Sequence, residues 1–419
     1  MPFGAIFGCF LGAWISGSFG RLKAFLCSDI LNIIGSGICT VSIIFWIGNG
    51  KFPSYRDDAN YFTPLFDIGH FICGLNSGIS SFLVPLYIRE LTPIETYNSL
   101  AAMNQVMITL GILISYCLGT LACQTHSAFT NALAFSFPIA ISLLHLFLMY
   151  WKFDNETPTY LWMSNRRQDA IALMSWLYYN QDLKDSFGNI IDPNPDQENK
   201  VVSYKDLFTM ETHKRGLKLG CTVAILQQFT GINMIIYHST ALMEKSDSSQ
   251  SSRDYFTILF GIINWSSAFL IVYFLYHKGK KQMLEIGAVG MGCCYIILLI
   301  LEPISIYEDN QVLIGTKIAI IAVFMFFFEI SIGPIMWLYN ADILCDKGIA
   351  ITSAVTWTLT TFVVALVGFD SFFEASNWWW EFLYAFFLFF CGVLFFFSRA
   401  YVVERTQLNE KADEKDTTS

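Results

Sequence analysis

The sequence predicts an all-α, polytopic membrane protein. Three observations carry that reading. The 419 residues are 54% hydrophobic and only 14% charged, against about 25% charged in a typical soluble domain. Phe contributes 39 residues and Trp 11, more large apolar side chain than one globular core absorbs at so low a charge. Apolar runs near the ~20 residues needed to span a bilayer recur along the whole chain. Mean hydropathy is +0.48. These features exclude a disordered chain, a nucleic-acid-binding protein and an ordinary cytosolic enzyme. The net charge of −9 sits mostly in loops and tails and says little about partners.

The runs are read in order as residues 4–18, 24–48, 62–88, 98–122, 128–151, 216–243, 255–276, 282–303, 311–339, 348–369 and 377–400, giving about 11 transmembrane helices. The first opens almost at Met1. It lacks the basic start and the A-x-A-like site of a cleaved signal peptide. The second follows Arg21 and Lys23, and the third ends on Arg89-Glu90. The fifth stops at Lys152, which opens the largest polar interval, reaching to Arg215. That interval holds an amphipathic stretch, Arg166 to Tyr179, then the helix-breaking Asp192-Pro193-Asn194-Pro195. It reads as short surface helices joined by loops. The division is therefore an N-terminal transmembrane half (1–151), an inter-half segment (152–215), a C-terminal transmembrane half (216–400) and a charged tail (401–419). A six-plus-six duplication is a common transporter plan. Five spans followed by six lack one helix at the N-terminal end.

Basic residues give the orientation. With 152–215 in the cytoplasm, all but Lys51, Arg56, Lys245, Arg253 and Lys317 of the 25 Lys and Arg lie on the cytoplasmic side. The tail is cytoplasmic in that orientation, and its composition reads as a disordered extension. The 11 Cys include no C-x-x-C pair and most lie in apolar runs, where free thiols behave as small hydrophobes. Gly74 and Gly78 form a G-x-x-x-G, and Ala288 and Gly292 a looser version. Both read as helix-packing surfaces.

Polar side chains inside spans are costly and mark function. Gln105 lies in the fourth span, Gln227, Gln228 and Asn233 in the sixth, Asn264 in the seventh, and Glu329 and Trp337 in the ninth. Amides both donate and accept, as a polyol requires. An indole offers a flat apolar face and one N–H to a sugar ring. At about 100° per residue, Gln228 and Asn233 fall roughly 140° apart on a regular helix, so a break at Gly231 is needed to turn both to one cavity. Pro334 predicts a second break in the ninth span. Broken helices at membrane depth line transporter sites. No nucleophile, acid–base pair or metal-ligand spacing is visible, so the chain reads as a binder without cofactor and not as an enzyme. Asp29 and Asp67 lie near helix starts, where capping or interfacial solvation accounts for them. Trp378-Trp379-Trp380 reads as an interfacial aromatic belt. His238 reads as a packed, hydrogen-bonded histidine.

These residues fall into a known pattern. Pro85-Leu86-Tyr87-Ile88-Arg89-Glu90-Leu91-Thr92-Pro93 resembles the P-x-Y-x-x-E-x-x-P signature of the sugar porters of the major facilitator superfamily. Gln105 with Gly111 resembles its next element. Asn155-Glu156-Thr157-Pro158-Thr159-Tyr160-Leu161 is similar to P-E-S-P-R-W-L. Gln227-Gln228-Phe229-Thr230-Gly231-Ile232-Asn233 with Tyr237 resembles Q-Q-x-x-G-x-N-x-x-x-Y. Gly279-Lys280-Lys281 looks like G-R-R, and Gly333-Pro334-Ile335-Met336-Trp337 like G-P-x-x-W. The motifs keep the family order and the resemblance covers essentially the whole chain.

The resemblance implies the major facilitator fold, two six-helix halves working by alternating access, with the first of the usual twelve helices missing here. It implies hexose contacts at Gln105, Gln227, Gln228, Asn233, Asn264, Glu329 and Trp337, with Thr360 a weaker candidate. It implies a cytoplasmic salt-bridge latch, for which Arg21, Glu90, Lys280, Lys281, Asp342 and Lys347 are the candidates. Departures fall in that latch. Gly20-Arg21-Leu22-Lys23 keeps only the end of the G-R-R-K motif, Tyr97-Asn98 stands for Arg-Gly, Tyr276 for an acid, Asp342 for Glu and Lys347 for Arg. The closing P-E-T-K-G is absent. Lys lacks the bidentate fork of Arg, so a weaker latch and a shift toward the inward-open state are expected. The implied function is transport of a hexose, glucose first, by facilitated diffusion or proton symport. The alternative is a non-transporting sugar sensor or degenerate paralogue. Partners are a small-molecule sugar, the lipid bilayer and, for a symporter, protons; nucleic acid is not among them. The implied location is the plasma membrane.

Overall fold

A computed structural model of the chain describes residues 1–48, 62–125, 127–177, 202–235, 250–307, 311–368 and 378–402. Among these the regular elements are helices, and there is no strand. They are α1 (Pro2–Phe19), α2 (Arg21–Gly48), α3 (Phe62–Leu91), α4 (Ile94–Thr125), α5 (Ala128–Trp151), α6 (Pro158–Met163), α7 (Arg167–Leu177), α8 (Tyr204–Thr209), α9 (Glu211–Gln228), α10 (Gln250–Tyr307), α11 (Gln311–Glu329), α12 (Ile332–Ile343), α13 (Asp346–Gly368) and α14 (Trp378–Tyr401). Among the described residues, ten stretches are long and apolar enough to cross a membrane. The eleventh expected span, 216–243, runs on past the described residues at 235. Also outside the described residues are Lys51, Arg56, Asp192 to Pro195, Tyr237, His238, Lys245, the tail from Arg405, and the side chains of Arg253, Tyr276 and Trp378.

Local chemistry sets the helix ends. Pro2 occupies the first turn of α1, where its missing N–H costs nothing. The Ser127 hydroxyl accepts from Phe129 N at the start of α5. Thr157 caps α6 ahead of Pro158. Ser203 and Asp206 form a reciprocal capping box on α8. Within α10, Gly279 adopts φ 74° and divides the helix into two arms at the Gly279-Lys280-Lys281 motif.

The backbone groups into two compact units. One comprises Met1–Tyr97, Ile114–Cys221 and Asn340–Thr361. In it α3 packs against α1 and α2, and α2 also packs against α5. The α1–α3 crossing is backbone to backbone: a side chain at Gly74 or Gly78 would collide with the carbonyls of Met1 and Ala5. The packing role expected of that G-x-x-x-G is what the structure displays. Ile79, Phe82, Leu83 and Leu86 of α3 form the centre of its core with Ala13, Leu217, Ala341 and Ile349. Lipid tails are as apolar as these side chains, so close packing rather than hydrophobic transfer holds such helices together.

The second unit comprises Asn98–Leu113, Thr222–Tyr339 and Phe362–Ser419. Here α10 packs on α11 and α14. Tyr295 of α10 is fully buried, its ring 5.1 Å from that of Phe324 and 6.3 Å from that of Phe387. A buried ion pair, Lys317 Nζ to Glu302 Oε2 at 2.7 Å, ties α11 to α10.

Candidate functional site

Two helix breaks carry most of the candidate sugar residues, and both breaks lie in the second unit. α9 ends at Gln228, a turn follows, and Gly231 takes φ +81° before helix resumes at 232–235. That left-handed residue does what the sequence required of it. It brings Asn233 Nδ2 to within 3.0 Å of Gln228 Oε1, which accepts its hydrogen bond. Gln228 Nε2 in turn donates to Gln227 Oε1 at 3.2 Å. The break is held by the Tyr295 hydroxyl, which donates to Thr230 O at 2.6 Å.

The second break lies one turn earlier than expected. α11 ends at Glu329 and α12 begins at Ile332, so the chain unwinds at Ile330-Ser331 and Pro334 sits in the first turn of α12. The reason is the missing N–H of Pro334, which leaves the carbonyl four residues back without its helical donor and makes a new helix start the cheapest arrangement. Gln227 Nε2 donates to Gly333 O at 3.1 Å and joins the two breaks.

Glu329, at the end of α11, is buried. Its carboxylate accepts from Gln105 Nε2, at 3.0 Å to one oxygen and 3.4 Å to the other. No cation pairs with it among the described residues. Gln105 Oε1 and Asn264 Oδ1 are buried and accept no hydrogen bond from a described residue. Trp337 is half-buried on α12, four residues beyond Gly333 and on the same face. Five of the seven residues are thus joined in two hydrogen-bonded groups, Gln105–Glu329 and Gln227–Gln228–Asn233. Asn264 and Trp337 make no polar contact with either.

A second cluster occupies the first unit. Arg21 is buried at the start of α2. Its guanidinium grips Glu90 of α3 through two hydrogen bonds, Nε to Oε2 at 3.0 Å and Nη2 to Oε1 at 2.6 Å. Nη2 also reaches Asp346 Oδ2 at 2.8 Å. Arg89 adds donations to the carbonyls of Ala341 and Leu344, both at 2.6 Å, and a longer contact to Asp346. Glu156 accepts the backbone N–H of Arg21 and of Leu22 at 2.9 and 3.2 Å, capping α2. Burial pushes the Glu156 carboxyl above the ordinary value, outweighing those two N–H groups and the Arg21 charge. The neighbouring Thr157 hydroxyl donates to Glu90 Oε2.

The latch candidates divide accordingly. Arg21 and Glu90 sit at the centre of the cluster. Asp346 is the acid that meets Arg21 beside Glu90; Asp342 is half-buried on α12. Lys347 makes no ion pair among the described residues and rests its Nζ 5.1 Å from the Tyr204 ring centroid. Lys280 is buried and Lys281 half-buried past the Gly279 break. Arg89, Glu156 and Asp346 are participants that sequence reasoning did not single out. Asp346 had one readable sign, an acid in the first turn of a helix. One further reading needs correction. Asp29 is no helix cap: it lies inside α2, buried, and its carboxylate meets His145 of α5 at 2.6 Å.

The chain is 27% identical over 375 residues to the facilitated glucose transporter member 4 of solute carrier family 2 from Mus musculus, covering 87% of this chain and 68% of the relative. It is 25% identical over 324 residues to hexose transporter 1 of Plasmodium knowlesi, covering 73% of this chain and 63% of the relative. It thus spans about two-thirds of the length of these relatives. The fold is shared with the major facilitator superfamily proton:xylose symporter XylE bound to 6-bromo-6-deoxy-D-glucose, with TM-score 0.77, 23% identity, and 96% of this chain and 84% of that one covered. A partially occluded, inward-open form of XylE from E. coli matches with TM-score 0.71, 22% identity, and 97% and 86% covered. The sequence model of the "Sugar (and other) transporter" family matches residues 1–409. A match of that extent, on this helical frame, makes the chain a member of the sugar (and other) transporter family.

Proposed function

We propose that this protein moves a hexose, glucose first, across the plasma membrane by alternating access of its halves, 1–151 and 216–400. The observation that carries the reading is the array of buried amides on two broken helices. Gln227, Gln228 and Asn233 converge through the Gly231 break, and Gln105 Oε1 and Asn264 Oδ1 hold unused acceptor capacity in buried positions. A sugar offers hydroxyls that donate and accept at once, which suits amides better than fixed charges. Trp337 is assigned the face of the ring. Glu329 takes a hydroxyl donor in place of, or beside, the Gln105 amide. The Arg21–Glu90–Asp346 cluster is assigned the latch, with Lys280, Lys281, Asp342 and Lys347 as its other candidates. Relatives described as glucose and hexose transporters support the substrate class. The description of XylE as a proton:xylose symporter makes proton coupling the arm to test.

The test is radiolabelled hexose uptake into proteoliposomes, with and without a proton gradient. Saturable glucose uptake, competed by other hexoses, is expected. Leaving a buried polar partner unsatisfied costs about 1–3 kcal/mol, so Gln228→Ala should weaken apparent affinity about 5- to 150-fold. Trp337→Ala should abolish saturable uptake. Uptake untouched by both substitutions would show the assigned site to be wrong. Sugar binding without flux would favour the sensor instead.

A further inference from the structure

The second arm of α10, residues 280–307, touches both helix breaks, and all three lie in the second unit. At the break in 330–331 the contact is close. A side chain at Gly287 would collide with that of Ser331, and one at Gly290 with the Phe327 ring. Ser331 is itself tied down, its hydroxyl donating to Phe327 O at 2.6 Å. Tyr295, eight residues and about 12 Å further along the same arm, reaches the break at Gly231 through its hydroxyl.

The ring and the hydroxyl of Tyr295 do different work. The fully buried ring packs among Phe324, Phe387 and Tyr384, with centroids 5.1, 6.3 and 6.1 Å away. A phenylalanine would fill that space as well. The hydroxyl adds a polar group that is costly to bury without a partner, and its partner is Thr230 O at 2.6 Å. Thr230 is pinned from its other side too: its hydroxyl donates to Gln227 O at 2.6 Å and its N–H to the same carbonyl at 3.3 Å. This residue lies two positions after Gln228, three before Asn233 and next to Gly231. Glycine has the widest conformational choice of any residue. A single backbone direction through Gly231 therefore needs a tie from outside the turn, and the Tyr295 hydroxyl supplies it.

We propose that Tyr295 is a positioning residue for the sugar site. Its hydroxyl fixes the Thr230 peptide and, through it, the approach of the Asn233 amide to Gln228. With that hydroxyl spent on a backbone carbonyl, Tyr295 acts on the sugar only through the two amides. The consequence for sugar rests on the transport reading above, whereas the hold on the break does not.

The experiment compares wild type, Tyr295→Phe and Phe324→Leu, each as the full chain. Hydrogen exchange is followed at the amides of residues 230, 231 and 235, which are hydrogen-bonded around the turn, and glucose uptake is measured in proteoliposomes. Tyr295→Phe keeps the ring and removes one hydrogen bond. Exchange at those three amides should quicken about 2- to 12-fold, with the rest of the chain at wild-type rates. The half-saturating glucose concentration should rise by a similar factor, about 2- to 12-fold. The maximal rate per folded protein should stay unchanged, whereas a mere loss of folded protein lowers the maximal rate and leaves half-saturation alone. Phe324→Leu disturbs the same packing without touching the hydroxyl; it should lower the melting temperature and leave both readouts at wild-type values. Wild-type exchange in Tyr295→Phe, wild-type half-saturation in a Tyr295→Phe protein that takes up glucose, or equal shifts in Phe324→Leu would overturn the role. Faster exchange confined to the turn, with no glucose uptake in any sample, would leave the hold on the break standing and sink the transport reading.

Discussion

Glu156 illustrates how one side chain is committed twice. Its carboxylate caps α2 through the N–H groups of Arg21 and Leu22 and lies within reach of the Arg21 charge. Removing half of that acceptor set should cost about 1 kcal/mol, typical of an N-cap, so Glu156→Gln should lower the melting temperature by a few degrees. Its pH dependence has a definite sign. Burial raises this carboxyl above its unfolded value, so the folded chain holds a proton that the unfolded chain has released. Stability contributed by this group then falls as pH rises through the window just above the ordinary glutamate value. Comparing melting temperatures of wild type and Glu156→Gln across that window checks it: the difference should narrow toward the upper end. The sequence displayed Glu156 plainly, inside Asn155-Glu156-Thr157-Pro158. Its partners were not legible, because the N–H groups it caps are 135 and 134 residues away.

The two helix breaks set the geometry of the elements. Gly231 is held at φ +81°, and an added Cβ there would run into the Tyr295 hydroxyl and the Phe387 ring. An L-residue in that conformation costs roughly 1–2 kcal/mol before any clash. Gly231→Ala should therefore straighten or distort the turn, separate Gln228 from Asn233 and abolish saturable uptake. Uptake at wild-type affinity from well-folded Gly231→Ala protein would show the break to be dispensable. The sequence indicated this break, because two amides roughly 140° apart needed a hinge and only Gly231 stood between them. The second break was legible in kind but not in position. Pro334 demands a missing donor somewhere behind it, and the structure meets the demand by ending α11 at Glu329. That choice also leaves Glu329 at a helix end, where the Gln105 amide reaches both of its oxygens.

On the scale of the whole molecule, the latch joins segments far apart in sequence. Arg21 gathers Glu90 and Asp346 from positions 69 and 325 residues away. Taking one partner out of a buried ion pair typically costs 3–5 kcal/mol, so Arg21→Ala should fold poorly or not at all. Arg21→Lys keeps the charge and loses the fork. It should shift the conformational equilibrium toward inward-open, read as increased labelling from the cytoplasmic side of cysteines placed on each face. Lys347→Arg should do the opposite by supplying a bidentate donor where the lysine now rests on Tyr204. Predominant labelling of wild type from outside would contradict the weak latch expected from Lys347 and from the partial G-R-R-K motif.

Composition and order of motifs alone determined the class of this protein: a chain with 14% charge and recurrent spans has no stable home but the bilayer. They also determined which side chains are candidates for sugar, because an amide inside a span is visible as an anomaly without knowing its neighbours. Only the tertiary structure decided who meets whom. It set Asp346 against Arg21, paired Glu329 with Gln105, and put Asp29 in a buried contact with His145. The physical reason is range. Periodicity, helix breakers and desolvation cost act within a few residues or on single side chains. Hydrogen bonds and ion pairs act across about 3 Å of space, and which residues come that close depends on how the helices pack.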